Sequence, residues 1–231
     1  MDLQIIGLIK RKKGDLCMWN EEVRAKLQLY FIMGSTNCTE DPEKVLFQAI
    51  NGGISMFQFR EKGTDALTGS EKKDLARKLQ KLCKNHGIPF IINDDIELAL
   101  ALNADGVHIG QDDEDARTVR KILGEGKIVG VSAHTLAEVE KAIDDGADYI
   151  GAGPIYPTLT KTDAEPVKGT SLLEEVRNCG ILIPIVGIGG ITAENARAVI
   201  EAGADGVSVI TSISLAEDVY KSATALKKSV S

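Results

Sequence analysis

Gln58, Arg60 and Lys62 alternate along the run Gln58-Phe59-Arg60-Glu61-Lys62. In an extended chain, alternate residues share one face. An amide and two cations therefore point one way, and Phe57 and Phe59 point the other. The aromatic face should meet a layer of helices. Two neighbouring cations repel each other unless an anion or carboxylates compensate. A diphosphate would do this, because arginine offers a paired hydrogen-bond fork and lysine a point charge. A buried layer of ion pairs with neighbouring carboxylates is the structural alternative.

Two acidic clusters follow, Asn93-Asp94-Asp95 and Gln111-Asp112-Asp113. Paired carboxylates facing phosphate oxygens and waters are the usual way to hold Mg²⁺. Asp95 and Asp113 also precede helical stretches, where aspartate is a favoured N-cap. Spacing does not choose between Asp94 and Asp95, or between Asp112 and Asp113.

Further along, Pro154 to Thr162 is a long loop carrying hydroxyls and Lys161. Such loops in compact domains are often lids; a plain solvated loop is the alternative. Gly187-Ile188-Gly189-Gly190-Ile191-Thr192 and Val209-Ile210-Thr211-Ser212 end two strand-like runs. Glycine lets a backbone approach a phosphate closely, and a following helix supplies N–H donors. His86 reads as a surface residue near a helix end and His108 as a packed, hydrogen-bonded core histidine. His134 and Ser132 end a strand, His134 as a cap or supporting residue and Ser132 as a polar contact without a triad partner. Cys17, Cys38, Cys83 and Cys179 show no CxxC spacing, which argues against a disulfide framework or a zinc site.

These residues need a scaffold. Strand-like runs occur at Leu27–Met33, Ile54–Arg60, Pro89–Asn93, Gly106–Gly110, Lys127–Ser132, Tyr149–Ile155, Pro184–Ile188 and Gly206–Ile210. They are near-continuously apolar, as parallel strands buried on both faces should be. Helical stretches follow each one: Pro42–Ile50, Ser70–Asn85, Glu97–Leu102, Glu114–Leu123, Leu136–Asp144, Ser171–Asn178, one capped by Thr192, and Leu215–Lys227. An Ala-Asp fragment recurs before strands, at Ala104-Asp105, Ala147-Asp148 and Ala204-Asp205, where tight turns are needed. Evenly spaced βα units without a long crossover favour an α/β, single-domain (β/α)8 TIM barrel over a doubly wound open sheet. Residues 27–231 form that barrel, and residues 1–26 are an N-terminal extension, partly helical or disordered. Barrel chemistry lies at the C-terminal ends of the strands, where the cationic run, the two acidic clusters, Ser132, His134, the long loop and the glycine-rich turns fall.

The chain has 231 residues, with 27 Lys+Arg against 34 Asp+Glu and a net charge of −7. It lacks the global basic field of a nucleic-acid binder. No run suits a membrane helix, and the basic residues Lys10 to Lys13 follow rather than precede the first apolar stretch, unlike a secretory signal. The expected location is cytoplasmic, with small phosphorylated molecules as partners rather than nucleic acid or membrane. A homo-oligomer is compatible with this composition.

Taken in order, Gln58 to Lys62, Asn93 to Asp95, His108 to Asp113, Ser132 to Thr135, Gly153 to Thr158 with Thr160-Lys161, and Gly187 to Ile191 closely resemble the thiamin phosphate synthase family. The resemblance runs from about Leu27 to Ser214. It implies a Mg²⁺-dependent transferase of thiamine biosynthesis. The substrates would be 4-amino-5-hydroxymethyl-2-methylpyrimidine diphosphate and 4-methyl-5-(2-phosphoethyl)thiazole, the latter also in carboxylated form. The products would be thiamin phosphate and pyrophosphate. By resemblance, Gln58, Arg60, Lys62, Asn93, Ser132 and Lys161 hold the pyrimidine diphosphate, with Arg60, Lys62, Ser132 and Lys161 catalytic. Asp94 and Asp113 ligate Mg²⁺. Thr158, Thr160, Gly190, Ile210 and Thr211 hold the thiazole phosphate. Two alternatives are a thiazole tautomerase on the same barrel, which would not need the full cationic strand and both carboxylates, and a non-catalytic barrel that binds phosphate ligands.

Overall fold

Short apolar strands with period-two alternation must bury both faces, and a closed barrel wrapped by helices does this without leaving a sheet edge. A computed structural model of the chain describes residues 21–158 and 167–231. Its strands are β1 Leu29–Met33, β2 Met56–Phe59, β3 Phe90–Asn93, β4 Gly106–Ile109, β5 Ile128–Ala133, β6 Tyr149–Ala152, β7 Ile185–Ile188 and β8 Gly206–Val209. All neighbours pair in parallel, and β8 returns to β1. The expected (β/α)8 barrel is the fold; the open sheet is excluded.

Residues 21–26 form a helix, α1. The others are α2 Pro42–Asn51, α3 Gly69–Asn85, α4 Ile96–Leu102, α5 Ala116–Leu123, α6 Leu136–Asp144, α7 Ser171–Asn178, α8 Ala196–Glu201, α9 Thr211–Ser214 and α10 Val219–Ser229. Two expectations need correction. Thr192 does not cap α8: Asn195 does, while its side-chain oxygen accepts from the Thr192 N–H at 2.9 Å. The chain thus makes one more turn after β7 before the helix begins. The last helical stretch is also split. The single turn α9 follows β8 directly, and α10 starts only at Val219, where the Asp218 carboxylate accepts from Lys221 N–H.

Strand alternation divides the core in two. Leu29, Phe31, Phe57, Phe59, Phe90, Ile92, Val107 and Ile109 pack outward against the helices. Tyr30, Met56, Ile91, Ile128, Tyr149 and Val186 point inward, together with Val23 of α1 and Leu27. Gly130 makes room for one of these: a Cβ there would lie 2.1 Å from the Tyr149 ring.

The recurrent Ala-Asp fragment has a physical role. Asp105 accepts the N–H of Phe90 at 2.8 Å, Asp148 that of Val129 at 2.8 Å, and Asp205 that of Ile185 at 2.8 Å. Each aspartate before an even strand thus holds the start of the odd strand beside it. Arg120 bonds Asp148 at 2.5 Å and the carbonyls of Gly124, Lys127 and Gly146. Arg177 repeats this with Asp205 at 2.8 Å and the carbonyls of Ile181, Ile183 and Gly203. Arg24 of α1 also pairs with Asp205. These pairs sit at the N-terminal ends of the strands.

Candidate active site

At the opposite end lies a cavity of about 410 Å³. Arg60, Lys62, Asn93, Asp94 and Asp113 line one side, with His108 and Ser132 beside them. Thr158, Gly190, Ile210 and Thr211 line the other. Eleven of the thirteen site residues expected from the sequence are described, and all of these but Gln58 border this cavity. Thr160 and Lys161 lie outside the described residues, as does the expected lid from residue 159 to 162.

Arg60 is only 9% exposed, yet its guanidinium makes no hydrogen bond or ion pair with any described residue. An arginine that deeply placed would ordinarily be paired. Glu61, its sequence neighbour, does not supply the partner. It turns the other way and accepts from Ser35 N–H at 2.8 Å and Leu67 N–H at 2.9 Å, tying two loops together. Lys62 forms an ion pair with Asp94.

The acidic clusters separate by job. Asp95 accepts from Leu98 N–H at 2.9 Å as the cap of α4, and pairs with Lys72 at 2.6 Å. Burial pushes its carboxyl up, but Lys72 and the Leu98 N–H outweigh this and hold it below the usual range. Asp94 has a positive φ of 58°, so its side chain leaves the strand end in a direction different from that of Asp95. Aspartate tolerates this conformation better than most residues. Burial raises the Asp94 carboxyl, and Asp113 adds to the rise against the pull of Lys62. Asp113 does not cap α5, whose N-cap is Asp115; it accepts the Gly110 N–H at 2.7 Å. Burial raises it as well, but that N–H, Asp94 and Lys62 leave it low.

Asp94 and Asp113 therefore face each other from β3 and β4. Two such carboxylates are a donor set that a divalent cation would satisfy. Among the described residues no group of three or more His, Cys, Asp and Glu is arranged for a metal. A Mg²⁺ ion would complete its shell with waters and ligand oxygens, as that ion commonly does.

Opposite them, Gly189 and Gly190 turn with φ of 101° and 61°. A Cβ on Gly190 would lie 2.5 Å from the Pro157 carbonyl oxygen. Only glycine brings these two loops together with this backbone. Ile210 begins the turn of α9, and Ile210, Thr211 and Ser212 line the same cavity.

Several cavity residues were not singled out as site residues by the sequence. His108 was expected as a packed, hydrogen-bonded core residue; it is hydrogen-bonded, but it also lines the cavity. Its place opposite Val107 and Ile109 on β4 carried that signal. Gln111 donates to the Ser132 carbonyl at 2.6 Å, and Lys168 donates to the His134 carbonyl at 3.0 Å. Ser208, on the inner face of β8, has a buried hydroxyl without a partner among the described residues. Gln58 departs from expectation. It is 1% exposed and lies beneath the cavity, where its amide donates to the Tyr30 hydroxyl at 2.8 Å. His134 is bonded to Glu138 through its backbone N–H at 2.7 Å, which suits the supporting role expected. His86 is exposed near the end of α3, as expected.

Comparison with known proteins identifies the family. Residues 29–213 match the family described as thiamine monophosphate synthase. The chain is 60% identical over 211 residues to a thiamine-phosphate synthase of Bacillus cereus, covering 91% of this chain and 96% of the relative. It is 58% identical over 211 residues to that of Geobacillus thermodenitrificans, covering 91% and 95%. A solved thiamine phosphate pyrophosphorylase from Pyrococcus furiosus superposes with a TM-score of 0.80 at 33% identity, covering 90% of this chain and 97% of that one. A solved 3-hexulose-6-phosphate synthase, at 16% identity and a TM-score of 0.63, shares the fold. The chain belongs to the thiamine monophosphate synthase family and is a transferase enzyme.

Proposed function

We propose that this cavity joins 4-amino-5-hydroxymethyl-2-methylpyrimidine diphosphate to 4-methyl-5-(2-phosphoethyl)thiazole, releasing thiamin phosphate and pyrophosphate. The observation that carries the reading is Arg60: a deeply placed guanidinium facing the cavity with no partner among the described residues. Such a group is poised for an anion. Lys62, Asn93 and Ser132 border the same side of the cavity, which supports a diphosphate there. The glycine turn and the start of α9 support a monophosphate on the other side, in keeping with the recurrent phosphate position of this barrel type.

In this reaction the bond broken joins the pyrimidine methylene carbon to a diphosphate oxygen, and the electron pair leaves with the diphosphate. The thiazole nitrogen then forms the new carbon–nitrogen bond. No phosphoryl group moves. Arg60 and Lys62 stabilise the charge that grows on the leaving group, and Lys161 adds to them. Asp94 and Asp113 would hold Mg²⁺, which supplies further neutralisation of that charge. The attacking nitrogen carries no proton to remove, so a strong general base is not required. The aminopyrimidine ring is electron-rich and can carry a methylene cation, which favours departure before attack. Walls around the two substrates then keep water from the cation.

A coupling assay tests this reading. The protein is mixed with both substrates, with and without Mg²⁺, while thiamin phosphate and pyrophosphate are followed. Product that depends on the metal is the expected result. Folded protein that binds both substrates without coupling them would overturn it, and isomerisation of the thiazole would be assayed next.

A further inference from the structure

Gln58, Tyr30, Tyr149, His108 and Ser132 form one continuous chain of hydrogen bonds through the barrel interior. The Gln58 amide nitrogen lies 2.8 Å from the Tyr30 hydroxyl, and that hydroxyl lies 2.9 Å from the Tyr149 hydroxyl. Tyr149 is 2.9 Å from His108 Nδ1, and His108 Nε2 is 2.9 Å from Ser132 Oγ. Five strands and the floor of the cavity are linked in this way.

The direction of the chain follows from its first member. An amide NH₂ can only donate. Tyr30 oxygen therefore accepts from Gln58, and its own proton has Tyr149 as the remaining acceptor among the described residues. Tyr149 oxygen accepts that proton, and the Tyr149 proton needs an acceptor of its own, which among the described residues is His108 Nδ1. A nitrogen that accepts carries no hydrogen, so the ring proton sits on Nε2. That proton points to Ser132 Oγ, and the serine proton is left to face the cavity. Burial, which pushes both phenols above their ordinary pKa, keeps them as neutral donors.

We infer that Gln58, Tyr30 and Tyr149 are positioning residues that fix His108 as its Nε2–H tautomer, and that this makes the Ser132 hydroxyl a donor toward the departing diphosphate. The part concerning the diphosphate rests on the proposed synthase reaction; the tautomer does not.

Glutamate at position 58 should reverse the chain. A carboxylate accepts from Tyr30, Tyr30 then accepts from Tyr149, and Tyr149 accepts from His108 Nδ1–H. His108 Nε2 would then accept the Ser132 proton, and serine would turn a lone pair toward the diphosphate. Histidine-ring ¹⁵N NMR of the free, full-length protein reads this directly, with His108 assigned through His108→Gln. Wild type should show a bare Nδ1 and a protonated Nε2. Gln58→Glu should exchange them and lower kcat by about 100-fold, the scale of losing a donor to developing charge, with KM changed by less than about threefold. In a Ser132→Ala background the same change should cost nothing further.

Tyr149→Phe keeps the ring in the core, and tests the chain if Gln58→Glu does not fold. It should leave a mixture of tautomers and lower kcat about tenfold. Ser132→Thr, which keeps the hydroxyl, should retain most of the activity that Ser132→Ala loses. A protonated Nδ1 in wild type, or a tautomer unmoved by both core variants, would overturn the inference. Absence of coupling by wild type with the expected tautomer present would overturn the proposed reaction and the role of Ser132, but not the fixed tautomer.

Discussion

The two ends of the barrel use the same charged residue types in opposite ways. At the N-terminal end, Arg120 and Arg177 are saturated. Each bonds an aspartate and three backbone carbonyls, and each aspartate in turn holds a strand N–H. At the C-terminal end, Arg60 has no partner among the described residues, and Asp94 faces Asp113 across two strands. Charges that satisfy one another hold the fold. Charges held apart around a cavity await something from outside. Conformational stability should therefore reside in the first set and turnover in the second.

The largest expected effect breaks the saturated end. Arg120→Met leaves Asp148 buried without its counter-charge, and should cost about 3–5 kcal/mol in denaturant unfolding. The fraction still folded should keep a nearly wild-type kcat, which active-site titration against turnover would check. Asp94→Asn should do the reverse. It keeps the left-handed backbone, lowers kcat by about 100- to 1,000-fold in saturating Mg²⁺, and leaves the unfolding midpoint nearly unchanged. A wild-type rate at saturating metal would remove Asp94 from the proposed metal site.

Smaller effects sharpen the contrast within one end. Arg60→Met should weaken inorganic pyrophosphate binding by about 10- to 100-fold in calorimetric titration, the worth of charge-assisted hydrogen bonds, while stability stays level or rises. A large loss of stability would place Arg60 with the saturated set.

Asp95→Ala removes the cap of α4 and should cost about 1 kcal/mol at neutral pH. The Asp95 carboxyl is held low in the folded protein, so its stabilisation is present above the ordinary unfolded carboxylate pKa. It fades as pH falls through the lowered folded value. The wild-type and Asp95→Ala unfolding curves should accordingly converge in acid. A gap that stays constant with pH would show that the cap acts without its charge.

Asp94 and Asp95 also mark where sequence stops being informative. Both are acidic, adjacent and placed at a strand end, so type and spacing leave them equal. The backbone separates them: a positive φ at Asp94 and the cap geometry at Asp95 send the carboxylates to different partners. Asp113 and Gln58 show the same limit. Asp113 precedes a helix as a cap would, yet Asp115 takes that position. Gln58 shares a face with Arg60 and Lys62, but it sits lower in the barrel, and that depth places it against Tyr30 rather than in the cavity. The correction at Thr192 has a related cause, since Asn195 can accept the Thr192 N–H only once the turn after β7 has formed.

By itself, the sequence determined the eight βα units, the barrel they close, and the rim on which the polar residues gather. These follow from local periodicity and from the need to bury apolar strands on both faces, which adjacent residues already encode. Only the tertiary structure decided which charge meets which. It left Arg60 open, turned Asp94 toward Asp113, and ran one hydrogen-bond chain from Gln58 to Ser132. Those outcomes depend on distances between strands far apart in sequence, and such distances exist only once the barrel is closed.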